Sequence, residues 1–128
     1  MKYYITRKIK SDFDKAVTKV TEELKKEGFG VLTQIDVQET LKKKLDVDFR
    51  KYLILGACNP EFAYRALQAE DKIGTMLPCN VILEEKKNDY VEVSAIDPKA
   101  SMQAVENETL GMIASEIQHK LTKVLNQL

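Results

Sequence analysis

Apolar and polar positions alternate along residues 2–9 (KYYITRKI), the period of a strand with one face covered. Ser11, with Asp14 three residues later, reads as a capping box that opens a helix, and Phe13, Val17, Val20 and Leu24 then share one helical face. Gly28 fits the left-handed position that closes such a helix, with Phe29 placed to pack back on Leu24. A second strand follows over 29–35 (FGVLTQI). Asp36 and Glu39 then form a cap pair for a short helix carrying Leu41 and Leu45. Residues 52–57 (YLILGA) are continuously uncharged and mostly apolar, which predicts a strand in the middle of a sheet.

Asn59 and Pro60 supply an N-cap and a first helical residue for a third helix running to Glu70, with Ala63, Ala66 and Leu67 facing inward. A turn around Gly74 leads to two strands, 80–86 and 90–96, joined as a hairpin across Lys87-Asn88-Asp89. Asp97-Pro98 ends the hairpin, and a short helical segment reaches Val105. Asn107 caps a long terminal helix in which Leu110, Ala114, Ile117, Leu121, Val124 and Leu128 recur at spacings of four and three. That stripe fits a coiled-coil seam, but it is shorter than the three or four heptads a sustained seam requires, so packing on the sheet is the reading it favours.

Composition narrows the picture. A chain of 128 residues with 44% apolar content has room for one core, and no linker or low-complexity stretch divides it, so residues 1–128 read as a single domain. Twenty basic and twenty acidic residues give zero net charge, with no block of like charge to follow a phosphate backbone, which speaks against nucleic-acid binding. Lys42, Lys43 and Lys44 sit on the polar face of a helix. The charged N-terminus lacks the apolar core of a signal peptide, and no stretch approaches a membrane span. A cytoplasmic protein is expected, with reduced thiols and no Cys58–Cys79 disulfide.

The chemistry worth weighing lies in a repeated dipeptide. The chain's two cysteines are both followed by asparagine, at Cys58-Asn59 and Cys79-Asn80, and each pair touches a proline. Cys58 precedes a helix start, where N–H groups and the helix dipole favour a thiolate, while a small apolar residue ending a buried strand explains it as well. If the two strand ends are neighbours, both thiols and both amides converge at one edge of the sheet, with Asp36 nearby. Two sulfurs make half a structural zinc site, and the missing ligands would come from His119, Asp36, Glu39 or a second subunit. His119 shares a face with Ser115, Glu116 and Thr122, away from the apolar stripe, and reads as exposed. Dinucleotide, P-loop and zinc-protease motifs are missing, and a catalytic triad would need His119 to leave that face.

The segments GFGVLTQIDVQETLKKKLDVDF, YLILGACNPEFAYRAL, GTMLPCNVIL and IDP together resemble the cytosolic branch of the family catalogued as domain of unknown function 302, over essentially the whole chain. The resemblance implies an α+β fold, with a mostly antiparallel sheet of about five strands and helices packed on it in a two-layer domain, homodimerisation, and no assigned reaction.

Three readings remain. The preferred one is a non-catalytic module that holds a small molecule or a metal, zinc being the candidate, in a polar pocket of Cys58, Asn59, Cys79 and Asn80 with Asp36 nearby. The second is a thiol enzyme or redox sensor with Cys58 as nucleophile and Cys79 as resolving thiol. The third is a structural homodimer in which the Cys-Asn segments serve only architecture.

Overall fold

The computed structural model describes residues 2–128. Five strands, Tyr4–Lys10 (β1), Gly30–Asp36 (β2), Tyr52–Cys58 (β3), Cys79–Glu85 (β4) and Tyr90–Ile96 (β5), form one sheet in the order β1-β5-β4-β3-β2. Every neighbouring pair is antiparallel, and with the helices this makes the expected α+β fold. The apolar strand β3 is interior, flanked by β4 and β2, but the centre of the sheet belongs to β4. An uncharged sequence marks a strand as interior without fixing its rank.

The helices are Phe13–Lys26 (α1), Val37–Leu45 (α2), Pro60–Ala69 (α3), Pro98–Ser101 (α4) and Glu108–Asn126 (α5), and a 3-10 segment spans Asp71–Met76. Helix α1 joins β1 to β2, which lie at opposite edges, so this connection crosses the whole sheet. Its cap is Asp12, not Ser11: Asp12 is extended at φ −71° and ψ 160°, and its carboxylate accepts from the Lys15 N–H at 2.8 Å. An anionic oxygen at a helix N-terminus also favours the dipole, which a serine hydroxyl does less well. The other end is as expected. Gly28 takes φ +87°, Phe29 N–H donates to the Leu24 carbonyl at 2.9 Å, and Gly28 N–H donates to Lys25 at 3.0 Å.

One face of the sheet carries Leu55, Val81, Leu83, Val91 and Val93, all essentially inaccessible. Against them lie Ala16, Val20 and Leu24 of α1 and the α5 stripe, in which Leu110, Ala114, Ile117, Leu121 and Val124 are all buried. The stripe on the terminal helix is therefore a core face, with Asn107 capping it through the Thr109 and Leu110 N–H groups. Helix α2 is capped by Asp36, which accepts from Glu39 N–H at 3.0 Å, yet it buries no residue. Leu45 stays 66% exposed. The short segment after Asp97-Pro98 is helical only to Ser101.

The opposite face of the sheet is mixed. Ile54 pairs with Ile82, Ile82 with Ser94, and Ser94 with Thr6, so these four form one row across it. Next to that row Glu84 stands directly opposite Glu92, and Arg50 reaches Glu84 at 2.7 Å while its guanidinium lies over Phe49 and Tyr52. No helix among the described residues is long and apolar enough to cross a membrane.

Candidate functional site

The two Cys-Asn segments occupy the same end of two neighbouring strands. Cys58 closes β3 and Cys79 opens β4, and the register pairs Ala57 with Cys79 and Gly56 with Asn80. The echo in sequence is thus one strand leaving the sheet beside another entering it. Side chains alternate along a strand, so Cys79 points with Val81 and Leu83 into the core, and Asn80 points to the other face.

Beside these strand ends lies a cavity of about 320 Å³. Its floor and walls come from β3, β4, α3, α4 and α5, through side chains such as Ala57, Phe62, Met102, Ala114 and Ile117. Cys58, half-buried, and Cys79, buried, both border it, and so does Asn59. Each wall has a local cause. Phe62 and Ala66 are the buried residues of α3, and Ala63 is only half-buried beside them. Leu67, expected inside, is 43% exposed because it flanks the mouth of the cavity and not the core. On the other flank β2 is irregular between Val31 and Thr33, and the bulged Leu32 borders the cavity while 69% exposed.

Three of the five expected site residues therefore meet here, and two do not. Asn80 is exposed in a separate hollow on the open face of the sheet, with Tyr3, Tyr52 and Glu92. Asp36 caps α2 and borders another hollow with Phe13, Gln34 and Lys51. Asn59 occupies the N-cap position of α3 without capping it. Its side-chain amide donates instead to the Glu27 carbonyl, 3.2 Å away, at the end of α1. Glu27 is the C-cap of α1, so its carbonyl has no helical N–H ahead of it, and the part-buried Asn59 amide supplies the donor. Gly28 makes this approach feasible, since a Cβ at that position would come 3.0 Å from the Asn59 amide nitrogen.

The thiols differ. Burial pushes the Cys79 pKa up to about 11, and the neighbouring Cys58 adds to the rise, so Cys79 is a neutral thiol at physiological pH. Among the described residues no three His, Cys, Asp or Glu side chains come together as a metal cluster, and His119 is exposed on α5. Among the described residues, His119, Asp36 and Glu39 are not gathered with the two cysteines into such a cluster.

The sequence offered no sign of Met102 or Phe62 as wall residues. Ala114 and Ile117 stood out through the α5 stripe, though only as core.

The profile described as "Domain of unknown function DUF302" matches residues 5–128. Among solved structures, the chain is similar to the crystal structure of the uncharacterized conserved protein DUF302 from Bacillus stearothermophilus, at 29% identity and a TM-score of 0.92, over 99% of this chain and 98% of that one. Among curated proteins, none matches.

Proposed function

Since the chain belongs to the DUF302 family, whose function is unknown, we propose from its own geometry that it is a non-catalytic module that binds a small molecule in the cavity at the β3 and β4 ends. The observation that carries this is the cavity itself. About 320 Å³ lies at the lower end of the usual range for ligand sites, and it is walled by several secondary-structure elements together. Its position suits binding more than turnover. The Cys79 thiol is neutral, the Asn59 amide is already committed to Glu27, and no carboxylate or histidine borders the space. The same raised pKa argues against Cys79 as a thiolate that resolves an oxidised Cys58 at neutral pH. This reading sets the protein in the cytoplasm, where both thiols stay reduced.

Native mass spectrometry of protein purified without chelator tests the reading. An added mass that is lost on denaturation, and is missing from an Ala63→Phe variant, is the expected result. Retention of the same mass by the filled variant would move the site elsewhere, and a zinc-sized increment would restore the metal reading, with ligands supplied by a second subunit.

A homodimer is the second reading, favoured by the open sheet face. Tyr3, 66% exposed, borders a hollow otherwise walled by strand residues, and Ile35, 48% exposed, pairs with Ile54 on the same face. Sedimentation equilibrium decides it, and a monomer at micromolar concentration would end it.

A further inference from the structure

We propose that the occupant of this cavity is an uncharged aromatic molecule of about two fused rings, an inference that rests on the binding reading above and adds the chemical class of the ligand.

Charge is excluded first. Among the described residues, no Lys, Arg, His, Asp or Glu side chain borders the cavity. A carboxylate, phosphate or ammonium placed there would lose its hydration without gaining a counter-ion. The side-chain donors on the wall do not compensate an anion. Asn59 Nδ2 donates to the Glu27 carbonyl, and Cys79 carries its proton. Two cations stand over the Phe62 ring, Arg65 at 5.1 Å and Lys120 at 5.9 Å from its centroid, but they belong to the surface and are matched by Glu116 and Glu27. Sugars and nucleotides are disfavoured as well, because most of their hydroxyls would be buried without a partner.

The wall also distinguishes aromatic from aliphatic occupants. Three sulfur-bearing residues, Cys58, Cys79 and Met102, border one space together with Phe29 and Phe62. Sulfur near a ring edge, and ring pairs in offset or edge-on geometry, both add affinity beyond burial. A saturated molecule of equal area forfeits both. Size sets the ring count: an apolar cavity of about 150 Å³ accepts benzene, and this one has about 320 Å³.

The test uses three probes of one shape: 2-naphthol, 2-naphthoate and decahydro-2-naphthol, each titrated into the intact chain and read by calorimetry and ligand-detected NMR. Naphthol is expected to bind at one per chain, with naphthoate and the saturated alcohol each weaker by about tenfold or more. Ala63→Phe from inside and Leu67→Trp from the mouth should both abolish naphthol binding. Leu67 is exposed, so the second variant keeps the test valid if the first fails to fold. Naphthoate or the saturated alcohol binding as tightly as naphthol would overturn the ligand class and leave the binding module standing. No binding by any of the three, or binding untouched by both variants, would overturn the ligand class and the site together.

Discussion

The side-chain amide of Asn59, at the start of α3, donates to the backbone carbonyl of Glu27, at the end of α1, across 3.2 Å. One hydrogen bond thereby fixes the helix that walls the cavity to the helix that spans the sheet. Gly28 sits against the same amide with φ +87°, so the two positions depend on each other.

Asn59→Ala should lower stability by about 1 kcal/mol, the net worth of one partly buried hydrogen bond. Gly28→Ala should cost about 1–2 kcal/mol in backbone strain alone, and more with Asn59 present because the new Cβ presses on its amide. Urea denaturation of the two single variants and the double variant measures the coupling. Strict additivity would show that the contact is energetically silent.

Gly56 lies opposite Asn80, and a Cβ there would collide with Thr33 Oγ1 and with the Pro78 ring. Gly56→Ala is expected to destabilise by about 1–3 kcal/mol through overpacking at the strand ends that border the cavity. Thr33→Ala in the same chain should recover part of the loss, since it removes the closer of the two obstructions. A melting temperature unaffected by Gly56→Ala would contradict this account.

The two thiols should be distinguishable by rate. At neutral pH a thiol reagent is expected to label half-buried Cys58 well before Cys79, whose pKa is about 11. The sign for stability follows from proton counts. Between pH 9, near the unfolded thiol's value, and pH 11 the unfolded chain has lost the Cys79 proton while the folded chain keeps it, so stability falls as pH rises through that window. Subtracting the pH profile of Cys79→Ala isolates this contribution, which should reach about 3 kcal/mol at most. Equal labelling rates for both cysteines in the folded chain would refute the assignment.

Arg50 satisfies Glu84, which is only 8% exposed and stands opposite Glu92 on the neighbouring strand. Removing the guanidinium leaves two facing carboxylates with Lys86, 3.8 Å from Glu84, as the remaining cation within reach. Arg50→Met is expected to cost about 1–3 kcal/mol, and the loss should shrink when Glu84→Gln is added. A full loss in the Glu84→Gln background would mean that Arg50 acts through its stacking on Phe49 and Tyr52 instead.

The cavity itself was not legible in the sequence, although most of its parts were. Cys58 and Cys79 were visible as a repeated dipeptide at strand ends, and the register confirms that those ends adjoin. Asn80 was grouped with them because it follows Cys79, yet one residue along a strand reverses the face, and which face is buried depends on what packs there. Asn59 read as a cap because its sequence position suits one. Its partner, 32 residues away, is visible only once α1 and α3 are side by side.

By itself the sequence determined what depends on near neighbours: the five strands, the caps at Asp36 and Asn107, the glycine ending of α1 and the buried stripe of α5. These rest on periodicity and on hydrogen bonds spanning a few residues, which the chain carries wherever it goes. Tertiary structure alone decided that β4 is central, that Asn80 and Cys79 face opposite ways, and that Leu32 and Leu67 flank an apolar space. Those outcomes come from contacts between segments far apart in the chain, whose partners are selected by the packing of the whole sheet against its helices.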